Sequence, residues 1–170
     1  GVSSAASDVY KRQDLDTLKN LNPHSEDGPW GPVPDGEKAT YGVIYIDSNG
    51  KILLREPLNH HDGYHWTFPK GTKDPGEVGV ETAVREGLEE TGITPDVVGF
   101  LPGGHKSGSS TTYFVIAKVA DVEQLPTDKE TQDLAWVTPS EALEKVKQST
   151  NSLGRKRDIG ILDAIQKTFD

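Results

Sequence analysis

The chain has 170 residues, a net charge of −9 and no cysteine. That length suits one domain with a real core. Its acidity argues against non-specific binding to duplex nucleic acid, which needs basic surface, and the missing cysteines exclude disulfides, thiolate nucleophiles and Cys-based zinc sites.

Phosphate substrates stay open, because bound cations reverse the local sign of a site. No stretch is apolar enough to span a membrane, and a cytoplasmic, reducing setting is expected. Methionine is absent even at position 1. Residues 1–13 look like a translated sequencing-adapter remnant and are set outside the fold. Residues 14–38, with Pro23, Pro29, Pro32 and Pro34, predict the rest of an extended, partly disordered lead-in spanning 1–38, with Trp30 tacking it to a single domain over 39–170. Ala39–Ile46 and Lys51–Arg55 read as strands joined by a Ser48-Asn49-Gly50 turn. A polar loop over 57–63 and a short strand near Trp66–Phe68 follow. A helix is expected from Val80 to Thr91, with Val80, Ala83, Val84 and Leu88 as its apolar stripe. Val97–Leu101 and Thr111–Val119 read as strands around a mobile Gly/Ser-rich loop, and Leu134–Val137 as another. Thr138, Pro139 and Glu141 are N-cap, N1 and N3 of a helix, and a last helix covers about Asp158–Phe169. Strands interleaved with helices predict an α/β fold with a mixed sheet covered on both faces.

Glu86, Glu89 and Glu90 stand at i, i+3 and i+4 of the expected helix and share a face, where like charges repel. A helix that only had to fold gains nothing from that cluster. One that holds Mg²⁺ or Mn²⁺ does, since hard cations take carboxylate oxygens while binding substrate phosphates. Gly71, Pro75 and Gly76 form a loop before it, and Gly92 is a helix-ending residue.

The run Gly71, five residues, Glu77, seven residues, Arg85-Glu86, then Glu89-Glu90, one residue, Gly92-Ile93 resembles the signature of the Nudix hydrolases. Gly87 departs from it, standing where the family usually carries an aliphatic residue. A helix-interior Gly costs about 1 kcal/mol against Ala, so Gly87 is expected to permit close packing. The resemblance implies an α/β/α sandwich and cleavage of a nucleoside diphosphate linked to another group. It implies Glu89 and Glu90 as metal ligands, Glu86 as a third ligand or as the base, and the Gly71 carbonyl as a further ligand. Glu77 and Arg85 would pair and orient the loop. Glu130 is either a surface charge or an extra ligand from a separate loop.

Asp62 to Gly71, with Trp66 and Pro69-Lys70-Gly71, resembles the run before the signature in asymmetric diadenosine tetraphosphate hydrolases. Lys70 would then meet a phosphate. Tyr113 is either a core aromatic or a ring that stacks on a base, and His65 is either structural or a substrate contact. Dinucleoside polyphosphates are the favoured substrates. ADP-ribose, nucleoside triphosphates or capped RNA are alternatives, as is a silent, nucleotide-sensing domain. A P-loop is rejected because Glu77 occupies the place of its lysine.

Overall fold

β1 (Lys38–Asp47) and β6 (Ser110–Val119) lie side by side and parallel, matched from Lys38↔Ser110 to Asp47↔Val119. In this computed structural model, which describes residues 22–119 and 127–169 with Thr17 and Asn20, they form the centre of one sheet. β4 (Asp96–Phe100) flanks β6, β2 (Ile52–Pro57) flanks β1, and β7 (Thr131–Val137) closes the far edge, all antiparallel to their neighbours. Two short strands complete it: β3 (Lys70–Gly71) on β1 and β5 (His105–Ser107) on β6. The sheet is therefore mixed, as expected.

Alternation along the central strands builds two cores. Tyr41, Val43 and Tyr45 of β1 and Tyr113, Val115 and Ala117 of β6 point to one face, covered by α1 (Gly79–Thr91). Ile44, Phe114 and Ile116 point to the other, under α2 (Pro139–Val146) and α3 (Ser152–Phe169). Each fully buried aliphatic side chain there contributes roughly 2 kcal/mol. Helices on both faces make the α/β/α sandwich.

Local signals explain the element ends. The Asp47 carboxylate accepts from the backbone N–H groups of Asn49 and Lys51, and Gly50 takes φ 76° to turn β1 into β2. Thr138 Oγ1 accepts from Glu141 N–H to cap α2. Gly92, at φ 71°, ends α1 in the left-handed conformation and donates to the Leu88 carbonyl at 2.8 Å.

Three expectations change. The strand expected at Trp66–Phe68 is a single bridge, Thr67 to Arg55, and the paired strand comes at Lys70–Gly71. The Gly/Ser-rich loop contains β5, because Gly108 (φ 60°) makes a tight turn that folds His105–Ser107 back onto β6. α3 starts at Ser152, with Asn151 Oδ1 accepting from Gly154 N–H at its head. Trp30 tacks the lead-in to the core as its sequence suggested: it is only 4% exposed and donates to the Phe114 carbonyl, while His24 bonds Tyr41 and Gly31. Residues 1–13 lie outside the described residues. Among the described residues, no helix is long and apolar enough to cross a membrane.

Candidate active site

α1 lies close against the sheet because two glycines face it. A Cβ at Gly79 would overlap the Tyr41 ring, and one at Gly87 would stand 2.7 Å from Tyr45 Oη and Val43 Cγ2. Gly87 is thus the close-packing residue its departure from the signature suggested. Tyr45 also ties the helix end down, donating to the Ile93 carbonyl at 2.7 Å. Closeness on this side turns Arg85, Glu86 and Glu89 toward the loop that precedes the helix.

Arg85 gathers that loop and helix. Its guanidinium bonds both oxygens of Glu77 at 2.8 and 2.9 Å, the Thr72 carbonyl at 2.9 Å and Glu86 Oε1 at 2.9 Å. It also reaches Glu89 at 3.3 Å and Asp74 at 3.2 Å. The fork geometry of a guanidinium suits such two-point contacts. Arg85 holds the Glu77 carboxyl down at about 2, and Glu77 in turn raises the Arg85 pKa. Burial pushes Glu86 up against the pull of Arg85, and the neighbouring charges of Glu89 and Asp128 add to the rise.

Glu90 points elsewhere. It is 4% exposed, 3.5 Å from the Arg55 guanidinium, and its oxygens lie 3.4 Å from the backbone nitrogen of Lys70. Burial pushes its carboxyl up, opposed by Arg55 and Lys70. Beyond it opens a cavity of about 450 Å³, lined among others by Arg55, Tyr64, Thr67, Lys70 and Glu130. Burial, with Arg157 nearby, lowers the Lys70 pKa. A larger apolar groove of about 770 Å³, between α2, α3 and the β1–β2 turn, holds none of the candidate site residues.

Glu130 joins this region through its backbone: its carbonyl accepts from Arg55 Nη2 at 2.9 Å and from Leu58 N–H at 2.7 Å. The loop residue that approaches the helix glutamates is Asp128, whose N–H donates to the Glu89 carbonyl at 2.7 Å. Sequence reasoning missed Asp128, although it stands two residues before Glu130. It also missed Arg55, which reads as a surface residue near the end of a strand yet is 8% exposed.

The structure places Tyr113 in the core and His65 beside His60. Tyr113 is 1% exposed, stacked on Tyr41 and met by His24 and Trp30, so its ring faces are spent in the core. Its place on β6 dictates this, since Val115 and Ala117 of the same face are buried too. His65 stacks on His60 at 3.8 Å, and its backbone N–H donates to Ser149 Oγ.

The donor set fits a hard divalent cation. It is all oxygen, and Gly71 is shaped for it: a Cβ there would overlap the Glu86 carboxyl group, so only glycine brings this backbone against that carboxylate. Among the described residues no three carboxylates or imidazoles converge on one point. Arg85 draws Glu86 and Glu89 to itself, while Arg55 faces Glu90. A cation would compete with those guanidinium groups for the same oxygens.

The NUDIX domain family profile matches residues 36–155. The chain belongs to the Nudix family. Among curated Nudix relatives, the asymmetrical bis(5′-nucleosyl)-tetraphosphatase of Rattus norvegicus is 36% identical over 94 residues, which is 50% of this chain and 64% of that protein. The match thus spans less than two thirds of that relative. The same-named enzyme of Caenorhabditis elegans is 29% identical over 113 residues, 62% of this chain and 82% of the relative. An RNA pyrophosphohydrolase of Novosphingobium aromaticivorans is 35% identical over 57 residues, 34% of this chain and 35% of the relative. The solved C. elegans Ap4A hydrolase binary complex shares the Nudix fold with a TM-score of 0.58 at 21% identity, covering 78% of this chain and 97% of that one.

Proposed function

We propose that this Nudix chain is an Mg²⁺- or Mn²⁺-dependent pyrophosphohydrolase that cleaves a nucleoside diphosphate linked to another group, with dinucleoside polyphosphates as favoured substrates. One observation carries the reading. A carboxylate-rich cluster on α1 and a cavity that presents Arg55 and Lys70 meet at β3, where Gly71 touches Glu86 and Lys70 lines the cavity.

The residues divide the work as follows. Glu89, Glu90 and the Gly71 carbonyl hold the cation, and Glu86 either joins them or accepts the proton of the attacking water. Bound there, the cation neutralises phosphate charge and lowers the pKa of that water. Glu77 and Arg85 fix the loop on the helix, and Lys70 and Arg55 receive phosphate oxygens. The tetraphosphatase names of the relatives support the substrate preference, as does the Trp66 to Gly71 run. The RNA pyrophosphohydrolase relatives favour a second reading, removal of phosphate from the 5′ end of RNA. Intact glutamates speak against a silent domain.

The test is a substrate panel with Mg²⁺ and identified products. Diadenosine tetraphosphate is expected to give AMP and ATP faster than ADP-ribose, nucleoside triphosphates or 5′-triphosphate RNA are cleaved. ADP-ribose turned over far faster would overturn the preference, and binding without cleavage of any of them would overturn the activity.

A further inference from the structure

Behind the cavity, α3 contributes a buried ion pair that the reaction chemistry does not call for. Arg157 and Asp158 side chains are 3% and 1% exposed, with Nε and Oδ1 at 3.1 Å. Buried pairs of this kind are weak stabilisers, so their remaining contacts indicate what they do. The other oxygen of Asp158 accepts from Thr67 Oγ1 at 2.7 Å, and Thr67 is bonded by its backbone to Arg55 in both directions at 2.9 Å. Arg157 Nη2 donates to the Tyr64 hydroxyl at 3.1 Å, and its guanidinium carbon lies 5.5 Å from the centre of that ring. Lys70 Nζ lies 5.0 Å from the same ring. Among the described residues Lys70 Nζ stands in no close ion pair, with Asp158 and Glu90 acting on it only at longer range.

Tyr64 is also pressed onto the helix. A Cβ at Gly154 would overlap the phenol ring and its hydroxyl, so the ring lies where only a glycine leaves room. The loop that leads to it is anchored to the α2–α3 turn, with Thr150 N–H donating to the Gly63 carbonyl at 2.8 Å and Asn151 Nδ2 to the Asp62 carbonyl at 3.1 Å. α3 therefore holds the two cavity residues, Tyr64 and Thr67, that stand next to Lys70 and Arg55.

We propose that Arg157 and Asp158 are positioning residues: through Tyr64 and Thr67 they aim the unpaired Lys70 ammonium and the Arg55 guanidinium into the cavity as a seat for a phosphate chain. Behind the cavity three cations share two carboxylates, Glu90 and Asp158, while Asp62 and Glu130 lie elsewhere on its wall, and a half-buried ammonium outside any ion pair favours an incoming anion. The proposal rests on the reading above for its natural ligand, but the seat is defined by phosphate alone.

Inorganic tripolyphosphate binding to the full chain, measured by calorimetry without turnover, tests it. Wild type is expected to bind. Lys70→Met and Arg157→Met should each weaken binding about tenfold, and the double variant should be no worse than about threefold below either single one, because the two act as a unit. Arg157→Met leaves Asp158 short of a partner and lowers stability. Where it does not fold, Gly154→Ala decides. Alanine favours a helix, yet it must displace the Tyr64 ring, so a folded and undamaged Gly154→Ala should still bind tripolyphosphate about fivefold more weakly. Wild-type binding in Gly154→Ala or Arg157→Met, alongside a loss in Lys70→Met, would overturn the positioning role. No binding by wild type would overturn the seat. Tripolyphosphate binding with no hydrolysis of any nucleotide would instead sink the enzymatic reading and leave the seat standing.

Discussion

Two charged clusters flank β3 and are opposite in balance. Around Arg85, a single guanidinium faces Asp74, Glu77, Glu86 and Glu89, all within 3.3 Å. Around Tyr64, the cations Arg55, Lys70 and Arg157 share Glu90 and Asp158. The first cluster is partly open, with Glu89 and Asp74 side chains 48% and 64% exposed. In the second Arg55, Glu90, Arg157 and Asp158 are buried and Tyr64 and Lys70 partly so. Surplus negative charge near water suits a hydrated divalent cation, and an arginine and a lysine on one cavity wall suit phosphate. A polyphosphate carrying its cation satisfies both at once. The two residues of β3 mark the seam, Lys70 on the cationic side and Gly71 against Glu86.

Neutralising the proposed cation ligands, one from each cluster, should have the largest effect. Glu89→Gln or Glu90→Gln is expected to lower turnover of the best substrate by about 100-fold or more, since a catalytic cation supplies several kcal/mol and each tenfold is about 1.4 kcal/mol. Steady-state kinetics on folded variants check this. Activity within a few-fold of wild type in both would break the assignment of these ligands.

Disconnecting the clamp comes next. Arg85→Ala and Glu77→Ala should each cost about 10- to 100-fold, as losses of residues supporting a metal site do. The double variant should cost little more than either, because Arg85 bonds both Glu77 oxygens. Losses that simply add would show that the pair does not act as a unit.

The scaffold under the anionic side can be tested by crowding. Gly87→Ala places a methyl group 2.7 Å from Tyr45 Oη and Val43 Cγ2, and overpacking costs about 1–3 kcal/mol. Thermal unfolding should fall by several degrees, although alanine alone favours a helix. A rise in melting temperature would mean that α1 can move off the sheet freely.

The smallest effect is on acid stability. Glu77 has its pKa lowered from 4.5 to about 2 by Arg85. The folded state therefore favours the charged form. That contribution is complete above pH 4.5 and is lost as pH falls toward 2. Glu77→Gln should be less stable than wild type at neutral pH, and the gap should narrow across that window. An unchanged gap would remove the pair from the stability of the fold.

Part of the anionic side was legible: helix spacing puts Glu86 and Glu89 on one face, and the Nudix resemblance pairs Glu77 with Arg85, whereas Glu90, expected on that same face, turns to Arg55. Gly87 was legible as a packing residue through its departure from the signature. The cationic side was not, because Arg55, Tyr64, Lys70 and Arg157 come from separate elements, and no local pattern tells a buried arginine from a surface one. Tyr113 shows the limit from the other direction. It is the kind of residue that stacks on bases, but its place on a central strand puts it among His24, Trp30 and Tyr41. The sheet's alternation was a better guide than its chemistry. α3 starts six residues before the expected Asp158, and Gly154 near its head is the place where Tyr64 meets the helix.

The central claim is that the two clusters take a cation and a phosphate chain together. Mn²⁺ binding followed by electron paramagnetic resonance, with and without tripolyphosphate, tests it most directly. The account predicts that wild type binds Mn²⁺ more tightly when tripolyphosphate is present, that Glu89→Gln and Glu90→Gln lose the ion, and that Lys70→Met keeps the ion but loses the enhancement. Mn²⁺ binding unchanged by tripolyphosphate, or unchanged in both glutamate variants, would contradict it.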